Sequence, residues 1–174
     1  VVVLMTSTLN RVMVVEYALP ATLPGMLVTL HYAVQALRPR FGHGSDTGGR
    51  RTPWIVGGMA VLAAGGSLAA AAVALMASDF GLGLLVAVVA FLMIGGGVGA
   101  AGTSLLALLA ARVAPERRAP AATLVWVMMI FGFVVTTAVV GRVLDPFSQE
   151  RLMVVVSIAC AAAFILAIVA VAGL

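Results

Sequence analysis

Residues 38–53 read RPRFGHGSDTGGRRTP, a stretch that holds four of the chain's ten arginines and four of its glycines. Apolar runs flank it on both sides, at about 20–37 and 54–77. A helix needs about 20 apolar residues to cross the hydrocarbon of a bilayer. A short basic, glycine-rich stretch between two such runs reads as the connection between two membrane spans.

The composition agrees. The chain has 174 residues, of which 63% are hydrophobic and 9% charged, and its mean hydropathy is +1.21. A soluble domain is about 45–50% apolar and about 25% charged, so this chain cannot cover a water-facing surface. Counting outward from 38–53 gives a partial run at 1–15, then runs at 20–37, 54–77, 82–111, 121–141 and 152–174. The run at 82–111 exceeds a perpendicular crossing and implies tilt or extension beyond the membrane. Long Ala/Leu/Val stretches without alternation exclude barrel strands and leave helices. The expected fold is all-α, a polytopic transmembrane bundle in a single domain of five or six spans. Val1 opens inside an apolar run with no basic region before it, which is not a signal peptide. Leu174 ends the last run without a polar flank, so the chain is expected to be part of a longer protein.

The net charge of +4 comes from ten Arg and no Lys against six acids. Arg38, Arg40, Arg50, Arg51, Arg112, Arg117 and Arg118 fall in two connections, whereas the alternate ones hold only Arg11, Arg142 and Arg151. This imbalance places 38–53 and 112–120 in the cytoplasm by the positive-inside rule. It reports orientation and not a nucleic-acid partner. The single Cys160 lies within an apolar run and allows neither a disulfide framework nor a thiolate metal site.

Within 38–53, Gly42, Asp46, Gly49, Arg50 and Arg51 follow the pattern G-x-x-x-D-x-x-G-R-R. Glycines permit tight turns and close backbone approach. Asp46 can accept N–H groups at a helix start, and Arg50 and Arg51 can pair with Glu116 after the fourth run. A plain solvated basic loop is the competing reading. The pattern resembles the connection between helices two and three of the major facilitator superfamily, although Thr47 stands where that family often has a basic residue. Thr8-Leu9-Asn10-Arg11-Val12-Met13, Glu16, the stretch from His31 to Trp54, Gly102-Thr103-Ser104 with Leu105 to Ala110, and Glu116-Arg117-Arg118 look more narrowly like the PucC/LhaA group. The chain would match the N-terminal six-helix half of that twelve-helix family, with its first helix partial. The resemblance implies a multi-pass protein of the bacterial inner, intracytoplasmic membrane. It also implies a role in photosynthesis as a non-catalytic light-harvesting complex assembly factor that binds or delivers bacteriochlorophyll. Antenna polypeptides, and a photosynthetic reaction-centre complex, would be its partners. The alternatives are a secondary transporter of a small solute and a structural subunit of a photosynthetic complex.

Other residues carry narrower expectations. Gly97 to Gly102 fits G-x-G-x-x-G but lies inside an apolar run with no preceding strand, so it is not a dinucleotide site. Gly95, Gly99 and Gly102 instead suggest a face for close helix packing. His31, Gln35 and Arg38 share one helix face by their spacing. His31 and Gln35 read either as partners in an interhelical hydrogen bond or, given the resemblance, as a magnesium ligand and a polar contact for pigment. His43 reads as solvated or paired with Asp46, and Arg11 and Glu16 as a surface pair or a gate contact. Thr103, Ser104, Thr136 and Thr137 are expected to bond their own helix carbonyls. Asp79, Asp145 and Glu150 read as solvated, and Trp54 as an interfacial anchor. No metal motif, P-loop or nucleophile elbow is present, which leaves no catalytic residue to name.

Overall fold

The computed structural model describes residues 1–47 and 51–173; Gly49 and Arg50 of the basic pattern lie outside the described residues. Every regular element among the described residues is helical. The N-terminal segment winds as π-type turns at Leu4–Leu9 and Val12–Glu16. The chain then turns through Ala18, whose φ is +51°. Helix α1 spans Thr22–Val34 and continues through a 3-10 turn, Gln35–Leu37, into α2, Arg38–Thr47. Then follow α3 at Thr52–Leu75, α4 at Phe80–Arg112, a 3-10 turn at Pro115–Arg117, α5 at Arg118–Val143, and α6 at Gln149–Val171. The all-α expectation holds.

Two sequence expectations change. The stretch at 38–53 is not an irregular loop, because its first ten residues form α2. Pro39 has no N–H to give to the carbonyl of Gln35, so the helix tightens there and Arg38 N–H takes that carbonyl instead. The hydroxyls of Ser45 and Thr47 bond back to the carbonyls of Gly42 and His43, both at 2.9 Å. Six apolar runs also do not become six long helices. Among the described residues, four helical stretches are long and apolar enough to cross a membrane: Thr52–Leu75, Phe80–Arg112, Pro115–Val143 and Gln149–Val171. The first run is wound as short π turns, and the second forms a 13-residue helix that ends in the 3-10 turn before Pro39. The 33 residues of α4 reach about 50 Å at 1.5 Å per residue, beyond a hydrocarbon core of about 30 Å.

The bundle is organised around α4, where Phe91, Ile94 and Ala90 are fully buried. Lipid tails are as apolar as leucine, so helices associate in a bilayer through close packing and not through water exclusion. Glycine makes that approach possible. A Cβ placed on Gly97 would lie 2.6 Å from the Gly58 carbonyl oxygen, and one on Gly58 would lie 2.6 Å from the Ala101 nitrogen. Further along, Ala69, Ala70, Ala72 and Ala87 continue the small-residue core. α6 closes on α3 where Cys160 meets Gly66.

Polar groups fix the helix ends away from α2. Asp79 accepts the Leu82 N–H at 3.0 Å and caps α4, a role beyond the solvated one expected. Ser148 accepts the Arg151 N–H at 3.1 Å and caps α6. The Gln149 amide donates to the Tyr17 hydroxyl at 2.8 Å, tying the N-terminal turn to the start of α6. Burial raises the Tyr17 phenol above its ordinary pKa; the Gln149 hydrogen bond opposes this and the Glu16 carboxylate adds to it.

Gly97→Leu is expected to destabilise the protein by at least the cost of ordinary overpacking, about 1–3 kcal/mol. Gly96→Ala, at a position with nothing within 4 Å, should leave stability nearly unchanged. Thermal denaturation of both variants in one detergent checks the pair.

Candidate functional site

α2 lies across α4 because its glycines lack side chains where the helices meet. A Cβ on Gly42 would stand 3.3 Å from the Thr103 methyl, and one on Gly44 would stand 2.7 Å from the Trp54 ring. Gly42 therefore serves the close approach expected of it, within a helix and not at a tight turn. Trp54, expected as an interfacial anchor, packs its ring against α2. Ser45 is buried beneath this contact.

Asp46 and Arg51 join the end of α2 to the start of α3. Arg51 donates to one carboxylate oxygen of Asp46 from NH2 at 2.8 Å and from Nε at 3.3 Å, and its NH1 donates to the Ala107 carbonyl of α4 at 3.0 Å. One guanidinium thus connects three helices. Its planar set of donors suits such a junction. Among the described residues, the partner of Asp46 is the Arg51 side chain. Arg51 likewise bonds Asp46 and Ala107 and not Glu116, which sits in the turn Pro115–Arg117. His43 is exposed, and Asp46 pairs with Arg51 instead of with it.

The second polar group lies on α1. The Gln35 amide donates to His31 Nε2 at 2.8 Å, and Gln35 Oε1 accepts from Arg38. An amide nitrogen only donates, so Nε2 of His31 is the acceptor and the proton of the neutral ring sits on Nδ1. His31 is fully buried, and Nδ1 has no partner among the described residues. The bond runs within one helix, where the sequence suggested one between helices. In this arrangement Nε2 of His31 faces the Gln35 amide and the ring is enclosed by the protein. Of the packing glycines, Gly95 lies under the His31 carbonyl, 2.6 Å from a Cβ placed there, and Gly99 lies under the Phe41 ring at 2.9 Å. Gly102 faces open space. Ser104 is buried with no hydroxyl partner among the described residues, in place of the expected bond to its own helix.

Near the opposite end, Arg11 and Glu16 approach to 3.8 Å. Together with Ser7, Thr8 and Thr137, and with Val12, Leu144 and Phe147 as apolar wall, they line a small cleft of about 130 Å³ between the N-terminal segment and α5. The Arg51 link to Ala107 and the Gly58–Gly97 crossing were not anticipated from the sequence. The first has no local signal, because the residues are 56 positions apart. The second had one in the seven-residue spacing of Gly58 and Gly65.

Asp46 is 57% exposed, so Asp46→Asn should cost about 0.2–1 kcal/mol, as other exposed pairs do. Arg51→Gln also removes the tie to Ala107 and should cost more. Faster proteolysis between α2 and α3, in the order Arg51→Gln, Asp46→Asn, wild type, checks the ranking. His31→Leu should leave any co-purifying pigment unchanged; loss of pigment with an unaltered melting temperature would restore a ligand role for the ring.

A family model described as PUCC protein matches residues 8–173. The chain is 57% identical over its full length to a protein of Rhodobacter capsulatus named "Bacteriochlorophyll synthase 44.5 kDa chain", of which it covers 41%. It is 34% identical over 182 residues to "Protein PucC" of Cereibacter sphaeroides, covering 97% of this chain and 39% of that protein. Against "Protein PucC" of Rhodovulum sulfidophilum the identity is 32%, over 97% of this chain and 40% of that protein. The chain thus spans about two-fifths of the length of these relatives. No solved structure matches it. A match that takes in the N-terminal segment, the arginine junction and all the helices after it makes this helical membrane chain a member of the PucC protein family.

Proposed function

We propose that this chain is part of a light-harvesting complex assembly factor of the bacterial intracytoplasmic membrane, which binds or delivers bacteriochlorophyll and docks antenna polypeptides. The observation that carries the reading is the open face of α5. Only 6% of its most apolar window is buried, against 44% for α3 and for α4. Leu124, Trp126, Met128, Phe131 and Val134 stand outward, and Val140 is the one buried residue described in the helix. Such a surface suits an apolar macrocycle or another transmembrane helix, both of which bind through close packing. The relative whose name mentions bacteriochlorophyll supports the pigment side of the reading. The proposed role is non-catalytic; of the polar side chains that meet, Arg51 ties Asp46 and Ala107 across three helices, whereas Gln35 bonds His31 and Arg38 along its own helix. Pigment bound here would rest on the apolar face, with His31 outside its reach.

One observation favours a second reading, transport of a small solute. The cleft lined by Ser7, Thr8, Arg11, Glu16 and Thr137 brings five polar side chains together beside an apolar wall, the kind of lining a small polar solute needs.

Affinity purification of the full-length protein in mild detergent from phototrophically grown membranes separates the two. Near-infrared bacteriochlorophyll absorption with small helical polypeptides in the same fraction is the expected outcome. A colourless fraction free of such polypeptides, from a protein that moves a solute in vesicles, would replace the first reading with the second.

A further inference from the structure

A cavity of about 910 Å³ opens at the arginine-rich end, between the start of α3 and the last turns of α4 and α6. Its lining changes character with depth. Ser45, Asp46, Arg51, Thr52 and Arg112 form the polar part, and Val56, Leu108, Ala111 and Val171 form an apolar wall. The polar part carries two guanidinium groups and one carboxylate. The carboxylate is already taken up, since Arg51 holds Asp46 from two nitrogens. Arg112 ends α4 on the exposed side and has no hydrogen-bond or ion-pair partner among the described residues.

From this arrangement we infer that the cavity binds the phosphodiester headgroup of an anionic phospholipid, with the start of its acyl chains against Val56, Leu108, Ala111 and Val171. A phosphodiester carries one negative charge, which matches the one uncompensated positive charge among the described residues of the lining. A free anion would gain nothing from the apolar wall, and an acyl chain alone would gain nothing from Arg112. The positive-inside rule puts this end at the cytoplasmic leaflet, where anionic lipids attract juxtamembrane arginines. Arg112 is the contact residue for phosphate. Arg51 positions it by neutralising Asp46 and fixing the mouth of the cavity to α4.

Native mass spectrometry of the full-length protein in detergent, titrated with phosphatidylglycerol or phosphatidylcholine of equal chain length, tests the assignment. Phosphatidylglycerol should be retained preferentially. Arg112→Gln should weaken that retention about fivefold, the contribution of one arginine near an anionic surface. Arg142→Gln, at the far end of α5, should not, and matching melting temperatures verify that both variants fold. Glycerol phosphate at the same concentration should fail to displace the lipid. Equal retention of the two lipids, or equal loss in the two variants, would overturn the site. Displacement by glycerol phosphate would do so as well, since the cavity would then recognise a free phosphate without its wall.

Discussion

Where α3 crosses α4, no side chain separates the two backbones. Gly58 and Gly97 face one another so closely that a methyl group on either would overlap the main chain of the other helix. Everything else in the bundle is seated on that crossing. Gly95 and Gly99 receive α1 and α2 on a neighbouring strip of α4, and α6 reaches α3 beside Gly66. In a soluble protein, water exclusion would hold such helices together even with imperfect contact. Within hydrocarbon that force is missing, and van der Waals contact at short range must supply the association. The small-residue face of α4 is therefore a condition of the fold.

Much of this was legible before any coordinates. Apolar run lengths gave the helices, and arginine asymmetry gave an orientation in which 38–53 and 112–120 share one side. Arg51 does bond to Ala107, near the end of α4, in keeping with that arrangement. The helical form of 38–47 was not legible, because glycine and proline ordinarily mark a turn. Here packing against Thr103 and Trp54 outweighs an unfavourable propensity of about 1 kcal/mol per glycine. The partner of Arg51 was equally hidden. Glu116 looked suitable by charge, yet Asp46 lies five residues away and the remaining donor goes to a carbonyl, a group that composition never reveals. His31 illustrates the same limit: spacing put it on a face with Gln35, but only geometry shows the amide occupying its lone pair.

The molecule divides its labour by direction. One side of α4 is filled by α1, α2 and α3, where Arg51 and Gln35 are bonded while His31 Nδ1 and the Ser104 hydroxyl have no partner among the described residues. Away from them, α5 presents aromatic, methionine and aliphatic side chains with little of the chain against them. The arginines at one end join helices through Arg51 and leave Arg112 free at the membrane boundary. The proposal that the protein holds another membrane component while it is assembled rests on that exposed face of α5.

Photo-crosslinking from α5 tests that division most directly. A photoreactive amino acid at Phe131, which is 69% exposed, in phototrophically grown cells should yield an adduct with an antenna polypeptide. The same group at Ala69, which is fully buried, should not. Adducts from position 131 that contain only lipid or other parts of the same protein would contradict the proposal that this face receives the antenna.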